Sequence, residues 1–390
     1  MKGPLAGVRV LDFTIQLAGP LSTMMLGQLG AEILKVEPPL RGAPERAGSP
    51  SYKGLSAYFM GTGWNKKSIT LNLKTEEGKA IARRLASSSD IVVQNFRPGV
   101  AERLGIGYDE LRKVNERLVY CSIAGFDADH PYSSKPSFDL ISQALSGLVS
   151  LYTQDGVRPT VPISLADILT GYIAAQSIIA ALFNRERTGR GELIKVSLFQ
   201  SSLYLISPIV QGLLQGLENN IDSLTRVKHV GFMGVFYDSN RELFVVEAPD
   251  DNFFKSLGKI PELTGLISKK EYSTKVDRAD NWERLDREIQ EAFSKKPRSY
   301  WLSEMNKLDI PCGPVMSVDE ALSEVQNQRY IAEVNDDMGT MKTVAYPARF
   351  LSTGLEYSRP PRLGENTAEA LREMGYSEAE IEALKSNGVI

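Results

Sequence analysis

Short apolar runs alternate with helical segments through the first 200 residues, and this alternation constrains the fold more than any other feature. Residues 7–13 and 31–37 are rich in Val, Leu and Ile, which is typical of buried strands. Between them, Pro20 suits the first turn of a helix and Gly30 suits its end, so a helix is predicted over 21–29. A strand, a helix and a strand in this order predict a βαβ unit with parallel strands.

The same alternation continues as far as residue 199. Further strands are predicted over 68–73, 90–96, 118–123 and 193–199, and further helices after the capping residue Thr75, over 138–151 and over 168–187. Strands that alternate with helices favour an open, mainly parallel sheet of the nucleotide-binding kind. We therefore predict an α/β fold with a large Rossmann-like open-sheet domain and a smaller second α/β domain.

The pattern changes near residue 215. Residues 216–230 are polar and rich in turn-forming residues, which predicts a linker. Two strands are expected within 234–248, and helices follow them; residues 366–390 predict two short helices. The predicted division is a large domain over 1–215, a small domain with linkers over 216–330, and a C-terminal segment over 331–390 that returns to the large domain.

Composition argues against several classes of function. The chain has 45 Lys and Arg against 48 Asp and Glu, so it lacks the basic field that nucleic-acid binding needs. Its two cysteines, Cys121 and Cys312, form no CxxC motif and fit a reducing cytoplasm, which is the predicted location. The histidines, His130 and His229, are too few for a three-histidine zinc site. The longest apolar stretch, 168–183, is interrupted by polar residues, and no membrane or metal is expected.

Common sequence signatures of enzymes are also missing. The chain has no GxGxxG after its first strand, no GxxxxGK[ST] and no GxSxG. Hydride transfer, nucleotide hydrolysis and serine-esterase chemistry therefore lose their usual sequence support. Carboxylates are the reactive groups that this sequence still offers.

Seven segments together resemble the class III CoA-transferase family, the CaiB/BaiF group, in the right order and nearly end to end. They are residues 11–39, 65–79, 92–111, 138–148, 164–200, 310–322 and 360–384. The resemblance implies the CaiB/BaiF fold and an interlocked homodimer. It also implies transfer of CoA from an acyl-CoA thioester to a free carboxylic acid, with the thioester as substrate and no tightly bound cofactor.

The resemblance makes Asp167 the nucleophile, because it precedes a helix that ends in the sequence RTGRG at 187–191. From the residues alone, an Asp before an apolar run is most often a helix N-cap. The two roles are compatible, since a helix N-terminus stabilises a carboxylate. Asp139 lies where the family often has an acidic residue that faces the active site. It is expected to be an auxiliary acid or base, or alternatively a helix-start carboxylate.

The resemblance also implies a set of CoA-binding residues: Ala18 near the thioester, and Leu71, Lys74, Asn95, Phe96, Arg97 and Arg103 at the adenine and phosphate end. Basic side chains suit the phosphates of CoA. Each assignment has an alternative, because Lys and Arg are usually solvated surface residues and Phe96 is equally suited to a core.

The sequence departs from the family where substrate choice is expected to lie. Residues 229–234 have only two spaced glycines, which leaves open whether they act as a lid, and 41–60 are expected to shape the acyl pocket. An α-methylacyl-CoA racemase on the same fold is one alternative, but it needs a second acid or base where this chain has Phe138. A CoA-binding subunit of a hetero-oligomeric transferase is another, and the presence of Asp167 argues against it.

Overall fold

A computed structural model of the chain describes residues 2–153, 159, 161–216, 232–325 and 329–390. The chain divides into two compact units, of which the first comprises Met1–Ile206 with Asn327–Ile390 and the second Ser207–Gln326. The boundaries predicted at residues 215 and 330 both lie later in the chain. Most of the predicted linker, residues 217–230, lies outside the described residues.

A six-stranded parallel sheet forms the centre of the first unit, with strand order β5-β2-β1-β6-β7-β8. Its strands are β1 (Arg9–Asp12), β2 (Glu32–Glu37), β5 (Lys66–Thr70), β6 (Ile91–Gln94), β7 (Val119–Ala124) and β8 (Leu193–Ser197). A small hairpin, β3 (Ser51–Tyr52) and β4 (Leu55–Ser56), pairs apart from the sheet. The predicted α/β class with a large open sheet is therefore confirmed. The parallel direction follows from the βαβ pattern, because the crossover helix returns the chain to the end of the sheet where the previous strand began.

Helices connect these strands. They are α1 (Ala18–Gln28), α2 (Ala57–Met60), α3 (Glu76–Ser87), α4 (Val100–Arg103), α5 (Tyr108–Leu111), α6 (Asp139–Leu145), α7 (Leu165–Thr188) and α8 (Leu198–Leu205). The Thr75 hydroxyl accepts a hydrogen bond from the Gly78 N–H at 3.1 Å and caps α3, as predicted. The helix predicted over 138–151 is wrong in its extent. Gly147 has a left-handed φ of 86°, and it separates α6 from a 3₁₀ turn, Leu148–Tyr152.

Helix α7 has 24 residues, and by length and composition it is apolar enough to cross a membrane. The expectation drawn from residues 168–183 therefore underestimated this element. Core helices pass the same test, and α7 packs against α1 and against strands β7 and β8. Its Ala166, Ala174 and Ile178 side chains are fully buried in that contact. The small residues Gly171 and Ala18 allow the close approach, since a Cβ on Gly171 would lie 2.8 Å from the Ala18 carbonyl oxygen.

The C-terminal segment contains a hairpin and two helices that belong to the first unit. These are β12 (Ile331–Asp336), β13 (Gly339–Val344), α16 (Thr367–Glu373) and α17 (Glu378–Ser386). The Thr367 hydroxyl accepts from the Thr70 N–H at 3.0 Å, and the Asn366 amide oxygen accepts from the Ser68 N–H at 3.0 Å. These contacts give hydrogen-bond acceptors to two backbone N–H groups on the outer edge of β5, which is the last strand of the sheet on that side.

The second unit has an antiparallel sheet of three strands in the order β11-β10-β9. Its elements are α9 (Ser207–Leu214), β9 (Phe232–Tyr237), β10 (Leu243–Ala248), α10 (Asp251–Leu257), α11 (Thr264–Ile267), α12 (Lys275–Asp280), α13 (Trp282–Phe293), α14 (Arg298–Asn306), β11 (Cys312–Pro314) and α15 (Val318–Val325). Phe236, Phe244, Phe293 and Trp301 are fully buried, and Phe293 packs edge to face against the other three at centroid distances of 5.0 to 5.1 Å.

Candidate active site

A cavity of about 360 Å³ opens at the carboxyl ends of β1, β6 and β7 in the first unit. In open parallel sheets, ligands bind at this edge because the connecting loops meet there. The walls come from the loop after β1, residues 15–18, the turn after β6, residues 95–98, and the segment after β7. The cavity brings together five of the nine predicted site residues, namely Ala18, Asn95, Phe96, Arg97 and Asp167.

Asp167 lies in the first turn of α7 and lines this cavity. The N-cap of α7 is Ser164, so Asp167 is inside the helix, which removes the N-cap interpretation of this residue. Its backbone N–H donates to the Asp139 carboxylate at 3.1 Å. Within the described part of the chain, no side chain or backbone group donates a hydrogen bond to the Asp167 carboxylate itself. A partly buried, unpaired carboxylate at the wall of a cavity is free to react.

Burial raises the pKa of Asp167 to about 7, and the nearby negative charge of Asp139 contributes in the same direction. Asp139 is the first residue of α6, and its other carboxylate oxygen accepts from the Gln143 amide at 2.6 Å. Asp139 therefore acts on Asp167 through a backbone hydrogen bond and through its charge. The structure does not place Asp139 on the cavity wall, although the sequence expectation allowed a role as acid or base.

Asn95 holds the loop after β1. Its side-chain amide donates to the Ile15 carbonyl at 2.7 Å and accepts from the Ile15 N–H at 2.9 Å. Since these bonds occupy its carbonyl and one amide proton, Asn95 serves first to position residues 15–18. Ala18 then begins α1, whose N-terminus has no side-chain cap.

Phe96 and Arg97 follow in the same turn. The Phe96 ring is half-buried against the core, and its N–H donates to the Gln94 side chain at 2.7 Å. Arg97 is exposed and lines the cavity. The cavity also contains Lys135 and Phe138, which the sequence analysis did not assign as ligand-contacting residues. In the sequence, Lys135 stands in a polar loop and belongs to no motif. Its position at the cavity depends on the way in which that loop folds over the edge of the sheet.

The remaining predicted residues lie outside the cavity. The Leu71 side chain is fully buried in the core, so only its backbone is available to a ligand, and its role in CoA binding stays a prediction. Lys74 is exposed in the loop before α3, and Arg103 is exposed at the end of α4 with its guanidinium beside Gly99. Of the segment 229–234, whose role as a lid the sequence leaves open, residues 229–231 lie outside the described residues, and 232–234 begin β9.

At the position where a racemase needs its second acid or base, this chain has Phe138, which lines the cavity and cannot transfer a proton. His130 instead stacks on Phe126 with ring centroids 4.8 Å apart, and its Nδ1 accepts from the Tyr132 N–H at 3.1 Å. Across the described residues, no group of three or more His, Cys, Asp or Glu side chains is placed to hold a metal ion.

Comparison with known proteins identifies the family of this chain. The model of CoA-transferase family III matches residues 5–367. The chain is 33% identical to mouse (Mus musculus) succinyl-CoA:glutarate CoA-transferase, over 99% of this chain and 90% of that protein. It is 32% identical to acetyl-CoA:oxalate CoA-transferase of Acetobacter aceti, over 97% of each.

A solved structure shows the same architecture. The crystal structure of a CaiB/BaiF family protein from Brucella suis superposes with a TM-score of 0.83 at 28% identity, over 96% of this chain and all of that one. The resemblance drawn from the sequence motifs is thus confirmed along nearly the whole chain. The chain belongs to CoA-transferase family III.

Proposed function

We propose that this CoA-transferase uses Asp167 as a covalent nucleophile to move CoA from a short acyl-CoA to a dicarboxylic acid. The observation that carries the proposal is the Asp167 carboxylate, which lines the cavity without a hydrogen-bond donor among the described residues and has a pKa raised to about 7. A more basic carboxylate is a better nucleophile, provided that it is ionised.

The proposed reaction conserves the activated bond at each step. The Asp167 carboxylate attacks the thioester carbonyl; a C–O bond forms, the C–S bond breaks and CoA leaves as the thiolate. The thiolate then attacks the Asp167 carbonyl of the resulting anhydride and releases the first acid, which leaves CoA as a thioester on Asp167. The second acid enters by the reverse of these two steps, so the exchange of one thioester for another needs no ATP.

Each step passes through a tetrahedral oxyanion, which needs preorganised donors. The start of α1 supplies them in this proposal, because the N-terminus at Ala18 has no side-chain cap and lies on the same cavity as Asp167. The positive end of the helix dipole stabilises the same charge. The half-buried position of Asp167 limits access of water to the anhydride.

The phosphates of CoA are assigned to the basic residues near the 95–98 turn. Arg97 and Lys135 line the cavity, and Arg103 lies beside the turn. Charge-assisted bonds to phosphate contribute about 1.5–3 kcal/mol. We expect Arg97→Gln to raise the KM for the acyl-CoA about 10-fold with little change in kcat, measured by initial rates.

Lys113→Gln is the matched control for that prediction. Lys113 is an exposed cation that pairs only loosely with Glu110, at 3.6 Å, and it lies outside the cavity. Its replacement should leave the KM unchanged. Equal effects of the two substitutions would show that the overall charge of the surface, rather than a contact at the turn, controls binding.

The raised pKa of Asp167 predicts that the rate of CoA transfer decreases at acid pH. The nucleophile must be ionised, so kcat/KM should fall as the pH drops through about 7 and should level off above it. Asp139→Asn removes the neighbouring negative charge and should move this midpoint to lower pH. The measurement is a pH–rate profile of both proteins between pH 5 and 9. A midpoint that stays in place in Asp139→Asn would show that Asp139 does not contribute to the raised pKa and that burial alone causes it.

The names of similar proteins support the substrate class. They include succinyl-CoA, acetyl-CoA and formyl-CoA as donors and glutarate and oxalate as acceptors. The proposal therefore covers a short donor and a dicarboxylate acceptor. The cytoplasmic location that it includes rests on the cysteine usage of the sequence. The test is product analysis by chromatography after the chain is mixed with each donor and acid. Deuterium uptake at the acyl α-carbon from heavy water, without CoA exchange, would instead support an isomerase.

A homodimer is part of the same proposal. Large apolar side chains remain exposed on α7, α8 and the segment around α6, with Phe183 and Tyr204 each 69% exposed and Phe138 63% exposed. Apolar groups in such number on neighbouring helices are typical of a protein interface. A second copy of this chain is the occupant that the family resemblance implies. Mass measurement by light scattering tests it, and a monomer that transfers CoA at full rate would contradict it.

A further inference from the structure

A cluster of buried charges lies beneath the loop after β1. Asp12, Lys35, Glu37, Glu45 and Lys66 are each at most 5% exposed, and the less buried Arg46 pairs with Glu37 through two bonds of 2.6 and 2.7 Å. Charges are rarely buried to this extent unless they are paired and hydrogen-bonded. None of them lines the cavity, so the proposed reaction leaves this cluster unexplained.

One ion pair of this cluster contacts the loop backbone on both sides of Ile15. The Lys35 ammonium donates to the Thr14 carbonyl at 2.8 Å, and the Glu45 carboxylate accepts from the Gln16 N–H at 2.9 Å. The two side chains meet at 3.0 Å, between Lys35 Nζ and Glu45 Oε1. Together with Asn95, which holds Ile15, this pair fixes three successive residues by polar contacts, and two of them, Ile15 and Gln16, line the cavity.

The loop needs this support because its backbone is strained. Gln16 has a φ of 67°, in the left-handed region that residues with a Cβ rarely adopt. Gln16 and the following two residues line the cavity with Asp167, and Ala18 begins α1. Relaxation of Gln16 to an ordinary conformation would therefore move the start of α1 relative to the nucleophile.

We propose that Glu45, through its ion pair with Lys35, is a positioning residue that holds the loop at residues 14–18 in the conformation needed for CoA transfer. The inference deepens the function proposed above and rests on it. For folding alone, a well-packed apolar pair serves about as well as a buried ion pair. What an apolar pair lacks is the acceptor for the Gln16 N–H and the donor for the Thr14 carbonyl. Preorganised donors depend on such outer support.

Glu45→Gln is the direct test. The amide keeps the size of the side chain, but it removes the charge that pairs with Lys35, and a single oxygen must then face both the Lys35 ammonium and the Gln16 N–H. A misplacement of about 1 Å at a reacting centre costs about 100-fold in rate. We expect kcat to fall about 100-fold, KM to change little, and amide hydrogen exchange of a peptide covering residues 14–18 to become faster.

Arg185→Gln is the matched control. Arg185 is also buried in an ion pair, with Asp90 at 2.9 Å, but that pair lies at the opposite end of β6 from Asn95. This variant should lose thermal stability while kcat at 25 °C and exchange of the 14–18 peptide stay at the wild-type level. The double variant Lys35→Met with Glu45→Gln removes both charges. It provides a folded protein if the single variant fails to fold, and its Thr14 carbonyl still lacks the Lys35 donor.

The outcomes separate the two proposals. Slower turnover with faster loop exchange in Glu45→Gln, or in the double variant, and neither change in Arg185→Gln, supports the positioning role. Wild-type kcat and loop exchange in a folded Glu45 variant overturn it, as does an equal loss of kcat in the control. If the wild-type protein transfers no CoA, the proposed function fails. The exchange measurement then still decides whether Glu45 holds the loop.

Discussion

Replacement of Asp167 by Asn is expected to lower the rate of CoA transfer by roughly 10⁴-fold or more, since removal of a covalent nucleophile costs this much in other enzymes. Asn has nearly the same shape but cannot form the anhydride or the thioester. Intact-protein mass spectrometry after mixing with an acyl-CoA should detect a CoA adduct on wild-type protein. The peptide that holds Asp167 should carry it, and the variant should show none.

The same substitution has a predictable effect on stability, which serves as its control. The pKa of Asp167 is raised from the ordinary value of 3.8 to about 7, so the folded protein binds its proton more tightly than the unfolded chain. This group therefore lowers stability as the pH rises from about 4 to 7, and the loss persists above pH 7. Asp167→Asn should melt at a higher temperature than wild type at pH 8. An inactive variant that melts lower would point to damage of the fold, and an adduct on the variant would move the nucleophile elsewhere.

Local sequence patterns predicted the features that depend on local chemistry. Thr75 caps its helix, the βαβ alternation specifies parallel strands, and the apolar run after Asp167 forms one long helix. The strand order β5-β2-β1-β6-β7-β8 depends on contacts between distant segments, and no local pattern contains it. The exposure of a site residue also depends on contacts between distant segments, so no local pattern reveals it. Leu71 lies in a motif that resembles a ligand-binding one, but its side chain packs into the core.

The support of the site was the least predictable part. In the sequence, Lys35 and Glu45 resemble ordinary surface charges. The residues that they contact are distant along the chain, because Thr14 lies 21 residues before Lys35 and Gln16 lies 29 residues before Glu45. Burial is what gives these charges their effect, and burial is a property of the tertiary fold. The cavity wall therefore depends on residues that no motif identifies, whereas Asp167, the proposed nucleophile, was predicted from its motif.

Asp12→Asn is expected to destabilise the first unit by about 3–5 kcal/mol at pH 7, because it leaves the Lys66 ammonium buried without its partner. In the native protein the two side chains are fully buried and 3.0 Å apart. Burial alone would raise the pKa of Asp12, but the charges of Lys66 and Lys35 lower it to about 2. Hydrogen exchange of the β1 and β5 peptides in increasing urea measures this loss. Glu76→Gln, which removes an exposed ion pair with Lys79 at 2.8 Å, should have little effect.

The pH dependence of the Asp12→Asn variant tests the cause of this loss. Burial already lowers the pKa of Lys66 from 10.5 to about 8, although Asp12 opposes the shift. Without Asp12, the pKa of Lys66 should fall further, so the folded variant releases this proton at a lower pH than wild type. The unfolded chain keeps the proton up to about pH 10, and stability therefore rises with pH across that interval. The variant should regain stability between pH 7 and 9 more steeply than wild type. Parallel curves for the two proteins would mean that packing or lost hydrogen bonds to Asp12, rather than an unpaired Lys66 charge, account for the destabilisation.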